Sequence, residues 1–474
     1  MYINKLQGKM ITMKLSGKSH QHIGIWGFGT MGKSAARFLH AQGYQLAVMD
    51  KRLPTTHEQQ LLQEKNIVWY NENEQDTFFN SCDFVIPSPG INIRDLCYAT
   101  HREKLVSELD FFYHNFSKPI IAVTGSIGKT SITHILAQLF KAVSIPVAVG
   151  GNIGIPTFDL LERQHSVDYA LVEVSSFQLM HCLHFAPTIA IWTNFYSNHL
   201  DYHASDDEYF AAKCNLLKYQ HNTSLSLVPF ALRSKIPAPS AHHKRAYFSV
   251  DMPHKTQLNL QNDESLYYIH NNVIMRYEHN VALPLMTITE SLLHLSFIDN
   301  VVLLVGVCDL MQLNPYALQS IATITELPAH RLEKIGTINN ITFYNDSKGT
   351  TTVSTLAAIE KLKDRPLHLF LGGLSKGVDR APFIAQLKNQ VKYIYCFGKE
   401  AQVLHAICTN NNIPATQHTS LNSAVDTCIT KIESGDCVLL SPAGSSFDLY
   451  ENYEHRGNHF KELVQQFINS SHLP

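Results

Sequence analysis

Short apolar runs alternate with segments of helical periodicity along most of the chain. Residues 22–29 form an apolar run that ends in glycines, residues 33–42 have helical periodicity, and residues 45–50 are apolar again. A strand, a glycine turn, a helix and a second strand make a βαβ unit. A further strand is predicted at residues 82–86, closed by turn residues 87–90.

The same alternation restarts after Pro119, where the apolar stretch 120–124 leads into a second glycine loop and an amphipathic helix. Strands are also predicted at residues 169–174 and 188–193. Residues 221–280 are more polar and irregular, which predicts the strands and loops of a peripheral sheet. The strand-like segments that follow are ITFYND, LHLFLGG, YIYCFG and CVLLSPAG. The chain is therefore predicted to be α/β, with three domains at residues 1–117, 118–327 and 328–474.

Composition removes several classes of protein. The chain has 474 residues and a net charge of −2, which argues against non-specific binding of nucleic acid. Its nine cysteines include no Cys-x-x-Cys pair, so free thiols in a reducing compartment are expected. The N-terminal segment is basic and polar, and no apolar run approaches the roughly 20 residues that span a bilayer. We expect a cytosolic protein without membrane insertion, for which Met10 and Met13 are alternative starts to Met1.

The first glycine loop has the sequence GFGTMG at residues 27–32, between a predicted strand and a predicted helix. Asp50 ends the next strand, 18 residues beyond Gly32. In this context glycines let a diphosphate approach the backbone at a helix N-terminus, and the acid can bind a ribose hydroxyl. The pattern predicts a nucleotide diphosphate site. The alternative is a tight turn that binds no ligand.

The second glycine loop, TGSIGKTS at residues 124–131, resembles a P-loop with two residues between its glycines where the usual form has four. Backbone N–H groups and the helix dipole would cradle phosphates, Lys129 would add a point charge, and the Thr130 hydroxyl could hold Mg²⁺. A dehydrogenase needs only the first loop, and a simple ATPase or GTPase only the second. An enzyme that joins ATP chemistry to a nucleotide-carrying substrate needs both.

From about residue 20 to 470 the chain resembles the ATP-dependent Mur ligases of peptidoglycan synthesis. The matching segments are SPGI (88–91), TGSIGKT (124–130), GGNIG (150–154), EVSSFQL (173–179), NHLDYH (198–203) with YFAAK (209–213), AHRLE (329–333), NDSKGT (345–350) and SPAGSSFDLYENYEHRG (441–457). SPGI, EVSSFQL and the last segment favour the members that add D-glutamate to UDP-N-acetylmuramoyl-L-alanine. The resemblance implies a Rossmann-like UDP-binding domain, a central P-loop-type ATPase domain with a mainly parallel sheet, and a C-terminal Rossmann-like α/β domain for the amino acid.

The resemblance also implies an activity and its cofactors. ATP would phosphorylate the substrate carboxylate, the amine of D-glutamate would attack the acyl phosphate, and phosphate would leave from a tetrahedral intermediate. Two Mg²⁺ ions and a carbamate on Lys213 are implied, in a monomer acting in cell-wall synthesis, cell shape and cell division. From its residue type alone, Lys213 would instead be a surface lysine on a helix.

Roles follow for residues that match the family's motifs. The implied catalytic residues are Lys129, Glu173, His199, Lys213 and Lys348, and the implied metal ligands are Thr130, Glu173, His199 and carbamylated Lys213. ATP binding is implied for Gly125, Ser126, Ile127, Gly128, Lys129, Thr130, Ser131, Asn300, Arg331 and Asp346. Binding of the UDP-substrate is implied for Phe28, Gly29, Thr30, Asp50, Lys51, Arg52, Ser88, Pro89, Gly90, Ile91, Asn152 and His199. Binding of D-glutamate is implied for Lys348, Thr350, Ser446, Phe447 and Tyr453.

The chain departs from the family pattern at three positions. Ile127 and Thr351 replace the usual asparagines, and Leu303 replaces the second asparagine of the element that lines the adenine site at the end of the central sheet. These changes keep open an altered nucleotide preference, or a degenerate protein that only binds the UDP-substrate. A separate alternative is a related Mur-type or folylpolyglutamate-type ligase for another amino acid, against which EVSSFQL and the Ser446-Phe447 pair argue. A NAD-dependent dehydrogenase would leave TGSIGKT unexplained. Because the metal and phosphate residues remain, an active ligase is favoured.

Overall fold

A computed structural model describes residues 21–91, 96–238, 243–254, 258–323 and 329–470. These residues divide into two compact units, one holding residues up to 195 together with 207–323, and the other holding 196–206 and 329–470. The predicted domain junction near residue 327 and the three alternative starts lie outside the described residues.

The first unit begins with a four-stranded parallel sheet. Its strands are β1 (His22–Trp26), β2 (Gln45–Met49), β3 (Val68–Tyr70) and β4 (Phe84–Pro87). They lie in the order β3-β2-β1-β4. The helices of this region are α1 (Thr30–Ala41), α2 (Thr56–Glu64), α3 (Gln75–Ser81) and α4 (Glu108–Asn115).

Two local predictions in this region need correction. Helix α1 begins at Thr30, three residues before the predicted start, because the glycine turn itself leads into the first helical turn. Pro87, predicted as a turn residue, is the last residue of β4. Proline is tolerated there because β4 lies at the edge of the sheet.

A nine-stranded sheet forms the rest of the first unit. Its strands are β5 (Ile120–Thr124), β6 (Val147–Gly151), β7 (Tyr169–Glu173), β8 (Ile189–Trp192), β9 (Leu225–Pro229), β10 (Lys244–Phe248), β11 (Glu264–His270), β12 (Val273–Glu278) and β13 (Val281–Thr287). Their order is β13-β12-β11-β10-β9-β8-β5-β7-β6. Strands β5 to β11 are parallel to one another, and β12 and β13 form an antiparallel hairpin at the edge.

The strands predicted at residues 221–280 are present, and the peripheral sheet expected there is one side of the nine-stranded sheet. Strand β9 pairs with β8 and extends the central sheet. The polar residues of this region include charged side chains that the fold pairs, such as the buried Glu264 with the half-buried Arg233.

The helices around the large sheet are α5 (Lys129–Ala142), α6 (Thr157–Leu161), α7 (Ser176–Leu179), α8 (Asp206–Lys218), α9 (Glu290–Leu295), α10 (Ile298–Leu310) and α11 (Ala317–Ala322). Helix α10 contains the longest apolar run of the sequence, and nine of its residues are buried. The stretch expected at the end of the sheet is thus a helix, and Leu303 lies fully inside the core. A residue-303 side chain cannot contact a ligand from that position.

The second unit contains a six-stranded sheet. Its strands are β14 (Glu333–Ile338), β15 (Ile341–Asn345), β16 (Leu367–Gly372), β17 (Tyr393–Phe397), β18 (Ala415–His418) and β19 (Cys437–Leu440). Their order is β14-β15-β19-β16-β17-β18, and only β14 is antiparallel. The helices are α12 (Thr352–Lys361), α13 (Ala381–Gln386), α14 (Ala401–Asn410), α15 (Leu421–Ile429) and α16 (Tyr453–Ser470). All four strand-like segments predicted in this region are confirmed as β15, β16, β17 and β19.

Two further observations concern the chain as a whole. Eight of the nine cysteines, Cys82, Cys182, Cys214, Cys308, Cys396, Cys408, Cys428 and Cys437, are free and buried, in agreement with the free thiols predicted from the spacing. Within the described ranges, no helix combines the length and apolar character that crossing a membrane requires.

Candidate active site

The second glycine loop joins β5 to α5 at the carboxyl edge of the nine-stranded sheet. Gly125 has φ 151° and Gly128 has φ 82°, conformations that favour glycine. A Cβ atom at Gly125 would collide with the Thr193 hydroxyl. The loop can keep this shape only with glycine, and the shape exposes the N-terminus of α5, where backbone N–H groups attract anions.

Two polar residues that follow β8 brace this loop. Asn194 Oδ1 accepts the N–H of Ile127 at 3.0 Å, and Asn194 Nδ2 donates to the Ile127 carbonyl at 3.1 Å. The Thr193 hydroxyl donates to the same carbonyl at 2.7 Å. The backbone of residue 127 is therefore held from both sides by neighbours, so its conformation does not depend on the side chain that the chain carries there.

Two lysines converge on one carbonyl of the loop. Lys129 Nζ donates to the Gly125 carbonyl at 2.8 Å, and Lys213 Nζ donates to the same oxygen at 2.9 Å. Lys213 is 1% exposed, so the interpretation of this residue as a surface lysine is wrong. One helical turn earlier on α8, the Tyr209 hydroxyl donates to Ser126 Oγ at 3.1 Å, which packs the same face of α8 against the loop.

Burial and charge act together on the Lys213 amine. Removal from water lowers its pKa well below the ordinary value, and the positive charge of Lys129 lowers it further. The nearby Glu173 carboxylate opposes this pKa shift but does not overcome it. Burial and the Lys129 charge both favour the uncharged form of this buried amine beside the phosphate loop.

Glu173 ends β7 at the same edge of the sheet. Its Oε1 accepts Asn152 Nδ2 at 3.0 Å, and its backbone carbonyl accepts the Asn152 N–H at 2.8 Å. Its other oxygen, Oε2, is buried and has no hydrogen-bond partner among the described residues. A buried carboxylate oxygen with unused lone pairs fits the oxygen ligands of Mg²⁺, as does the Thr130 hydroxyl in the first turn of α5.

The described ranges contain no group of three or more His, Cys, Asp or Glu side chains placed to hold a metal ion. Mg²⁺ commonly binds through one or two carboxylates, substrate phosphates and water, so it does not need such a group.

Asn300 lies in the first turn of α10, beside the loop. Its side-chain amide is 3.6 Å from the position that a Cβ atom would take at Gly128. The amide is buried and donates to Ser296 Oγ at 2.9 Å. The retained asparagine of the α10 motif therefore lines the phosphate loop, whereas Leu303 packs in the core.

The first glycine loop is held by its own charged neighbours. Asp50 Oδ2 accepts the N–H of Phe28 at 2.6 Å, and Arg52 Nη2 donates to the Phe28 carbonyl at 3.1 Å. The Phe28 ring is 1% exposed and packs edge-on against Trp69. Phe28 can thus meet a ligand only through its backbone.

A buried carboxylate anchors that clamp. Glu58 forms two hydrogen bonds with Arg52, at 2.7 and 2.8 Å, and an ion pair with Lys33 at 2.8 Å. These partners hold the pKa of Glu58 far below its ordinary value. On the other side of the loop, Ser88 Oγ donates to the Gly27 carbonyl at 3.1 Å. Of the other implied UDP ligands here, Gly29, Thr30, Lys51 and Gly90 are exposed, and Pro89 and Ile91 are half-buried.

The second unit brings the implied D-glutamate residues together on neighbouring loops. Lys348 Nζ donates to the Tyr453 hydroxyl at 3.0 Å and lies 4.5 Å from the centre of its ring. The Thr350 hydroxyl accepts a hydrogen bond from Lys376 Nζ at 3.3 Å. Ser446 is buried, whereas the Phe447 side chain is 71% exposed.

Asp346 lies beneath these loops. Its carboxylate accepts the Ser441 hydroxyl at 2.6 Å and the Leu332 N–H at 3.2 Å. Burial raises its pKa to about 7, and the nearby positive charge of Arg331 opposes that rise. Arg331 therefore lies close enough to Asp346 to influence its carboxylate, and the assignment of both residues to ATP stays a prediction. His199 belongs to the same unit, has φ 60°, and donates its N–H to Asn198 Oδ1 at 3.0 Å.

Comparison with known proteins identifies the family. Three family models match: the Mur ligase MurD-like N-terminal domain at residues 21–106, the Mur ligase middle domain at 123–286, and the Mur ligase glutamate ligase domain at 330–444. The UDP-N-acetylmuramoylalanine–D-glutamate ligase of Lawsonia intracellularis is 30% identical over 452 residues, covering 94% of each chain. This chain belongs to the Mur ligase family. The enzyme of the same name from Fervidobacterium nodosum is 29% identical over 94% of this chain and 99% of its own.

Solved structures agree with the Mur ligase fold. A pseudomurein peptide ligase type C from Methanothermus fervidus aligns with a TM-score of 0.56 at 13% identity, over 94% of this chain and 100% of its own. The UDP-N-acetylmuramate–alanine ligase of Thermotoga maritima aligns with a TM-score of 0.54 at 14% identity and the same coverage. The predicted α/β class with three Mur ligase domains is confirmed.

Several residues of this Mur ligase site escaped the sequence analysis. Thr193 is the last residue of a predicted strand and Asn194 follows it, at the strand end where ligand-binding edges form, and that position was the available signal. Lys376 lies in a glycine-rich turn after β16, and the sequence alone indicated no role for this turn. In the structure, Lys376 Nζ donates a hydrogen bond to the Thr350 hydroxyl. Glu58 was marked by a local signal, the T-x-x-E capping box that it forms with Thr55 at the start of α2, but its ion pair with Lys33 is set by the fold.

Proposed function

We propose that the chain is an ATP-dependent ligase that joins D-glutamate to UDP-N-acetylmuramoyl-L-alanine. The observation that carries the proposal is the convergence of Lys129 and Lys213 on the Gly125 carbonyl. A site with two amines and a buried carboxylate at a phosphate loop suits phosphoryl transfer, and the relatives of known name are D-glutamate ligases.

The reaction requires the substrate carboxylate to be activated. A carboxylate oxygen attacks the γ-phosphorus of ATP, the bond to ADP breaks, and an acyl phosphate forms. The amine of D-glutamate then attacks the acyl carbon, loses a proton, and inorganic phosphate leaves from the tetrahedral intermediate. Lys129 and the N–H groups of the loop neutralise charge on the transferred phosphoryl group.

Thr130 and Glu173 would hold one Mg²⁺, and carbamylated Lys213 would supply oxygen ligands for a second; the ions would supply charge neutralisation at the phosphates. His199, the other metal ligand that the resemblance implies, belongs to the second unit. The carbamate forms when the uncharged Lys213 amine attacks CO₂ and releases a proton. Its burial and low pKa support this modification, since a charged surface ammonium would not react.

In the second unit, the two carboxylates of D-glutamate would meet Lys348, Lys376 and the Thr350 and Ser446 hydroxyls. A dicarboxylate needs cations and hydrogen-bond donors, and these groups supply both. Tyr453 orients Lys348 through its hydroxyl. The UDP moiety would bind to the clamped first loop, chiefly through backbone groups. We further propose that the enzyme acts in the cytosol as a monomer.

The experiment is phosphate release from ATP and Mg²⁺ with UDP-N-acetylmuramoyl-L-alanine and D-glutamate. Each substrate is then omitted in turn, and L-glutamate replaces the D-isomer. We expect release only when both substrates and the D-isomer are present. Release that is independent of D-glutamate, or equal with L-glutamate, would contradict the proposal.

A further inference from the structure

Arg456 is fully buried in the first turn of α16 and contacts two loops of the second unit. Its Nε donates to Ser347 Oγ at 3.0 Å and its Nη2 to the Ser347 carbonyl at 2.7 Å. Its Nη1 donates to the Gly444 carbonyl at 3.1 Å. All three acceptors are neutral.

A buried cation with neutral acceptors is costly for stability. Burial lowers the pKa of Arg456 only to about 10, so the guanidinium stays charged at neutral pH. The other buried arginine of this unit, Arg380, is instead paired with Glu400 at 2.5 Å. The nearby carboxylates of Asp448 and Asp346 favour the charged guanidinium of Arg456 and offset part of the cost of burying it. The hydrogen bonds of Arg456 nevertheless go to loop atoms, so their geometric effect is to hold two loops in place.

The loops that Arg456 joins carry the implied D-glutamate residues. Ser347 immediately precedes Lys348, and Gly444 lies two residues before Ser446. The Ser347 hydroxyl also donates to the Tyr453 carbonyl at 2.8 Å, so the same cluster fixes the start of α16. A shift of the guanidinium would move several ligands of one pocket together.

We propose that Arg456 is a positioning residue for the D-glutamate pocket. The inference rests on the proposed function, because it takes D-glutamate as the ligand of these loops. The planar fork of arginine reaches three acceptors at once, which the point charge of lysine cannot do. Arg456 does not touch the substrate; it acts through Ser347 and Gly444.

Arg365 provides a matched control in the same unit. It also donates to neutral acceptors, the Gly435 carbonyl at 2.9 Å and Thr342 Oγ1 at 2.6 Å. These acceptors lie where β15 and β19 begin, whereas the D-glutamate loops follow the ends of those strands. Replacing Arg365 should therefore lower stability without changing the pocket.

The test compares Arg456→Lys and Arg456→Met with Arg365→Lys and Arg365→Met. Phosphate release is measured while each substrate is varied, and Tm is measured for every variant. For Arg456→Lys we expect the KM for D-glutamate to rise at least about 10-fold, or roughly 1.4 kcal/mol, with the KM for the UDP-substrate within about 2-fold of wild type. The Arg365 variants should lower Tm and leave the KM for D-glutamate unchanged.

Ser347→Ala keeps the test decisive if Arg456→Met does not fold. It removes one acceptor of the guanidinium, so a smaller rise in the same KM is expected. An unchanged KM for D-glutamate in both Arg456→Lys and Ser347→Ala would overturn the inference, as would parallel changes in the KM values of all substrates. A wild-type enzyme without D-glutamate-dependent release would instead overturn the proposed function.

Discussion

The two glycine loops of the first unit share a strand-turn-helix arrangement but differ in the partners of the charged side chains around them. In the first loop, Asp50 and Arg52 bind the backbone of Phe28, and Glu58 pairs with Arg52 and Lys33. The charges of that loop are satisfied by one another. The loop is thus presented to a ligand mainly as backbone.

In the second loop, the hydrogen bonds described above join ionisable side chains to neutral groups. Lys129 and Lys213 both contact the Gly125 carbonyl, and Glu173 keeps one oxygen without a hydrogen-bond partner among the described residues. Neutral side chains, Thr193 and Asn194, brace this loop. The glycine spacing of each loop indicates that a phosphorylated ligand can approach its backbone. The charge environment distinguishes a loop that binds from a loop that reacts.

The largest effect on activity should come from replacing the lysine that follows the second glycine loop. The lysine that follows the first loop provides the comparison. Lys129→Met should lower D-glutamate-dependent phosphate release by about 10³-fold, because a charge at the transferred phosphoryl group is lost. Lys33→Met in the first loop should cost less than about 10-fold, since Lys33 only pairs with Glu58. Turnover measured at saturating substrates tests both. Equal losses would mean that the two loops share the same role.

Lys213→Ala should lower activity by about 100-fold, because the proposed carbamate, and with it a proposed metal ligand, is lost. Added formate or acetate should restore part of that activity by supplying the missing oxygen atoms. The control is Lys218→Ala, an exposed lysine at the end of the same helix, which should stay at wild-type activity. Full activity of Lys213→Ala would exclude the carbamate.

Smaller effects are expected for two residues of the second loop region: Asn194, which braces the loop, and Ile127, where the loop departs from the family pattern. Asn194→Ala removes two hydrogen bonds to residue 127, each worth about 1 kcal/mol, and should lower kcat/KM for ATP by about 30-fold. Ile127→Asn should change it by less than about 3-fold, because the backbone is already held. A gain of more than 10-fold in Ile127→Asn would show that the departure impairs the enzyme.

The sequence predicted the elements that depend on local patterns. Alternating apolar runs located most strands of the three sheets, and the glycine spacing located both loops. The prediction was less specific at residues 225–278, where the position of each strand in the sheet depends on contacts between distant residues. Buried charges such as Glu264 look like surface positions in the sequence, but the fold pairs Glu264 with Arg233.

The candidate site divides in the same way. Lys129 is marked by its own motif, whereas Lys213 looks like a helix-surface lysine until α8 is packed on the loop. The family resemblance pointed to Lys213 because it records such packing indirectly. Arg456 lies within a matching segment, but its proposed role depends on contacts that the fold makes. Its partners, Gly444 and Ser347, lie in two loops that are distant from it in sequence.

The pH dependence of stability should also differ between the two glycine loops, and these are the smallest effects expected. The pKa of Glu58 is lowered in the folded protein from 4.5, so its contribution is present above that pH and is lost as pH falls. Glu58→Gln should therefore have a lower Tm than wild type at pH 7. The gap should narrow as the pH is lowered below 4.5.

Lys213 has the converse preference, for its uncharged form. Its pKa is lowered from 10.5 on folding, so the unfolded chain binds more protons between the folded pKa and 10.5, and stability rises with pH in that window. Lys213→Met should have a higher Tm than wild type at pH 7, and the difference should shrink towards pH 10. Tm is measured in CO₂-free buffer without ligands, since a carbamate would replace the amine. If the Lys213→Met and wild-type curves run parallel from pH 7 to 10, the second loop does not hold an uncharged lysine, and the distinction between the two loops fails.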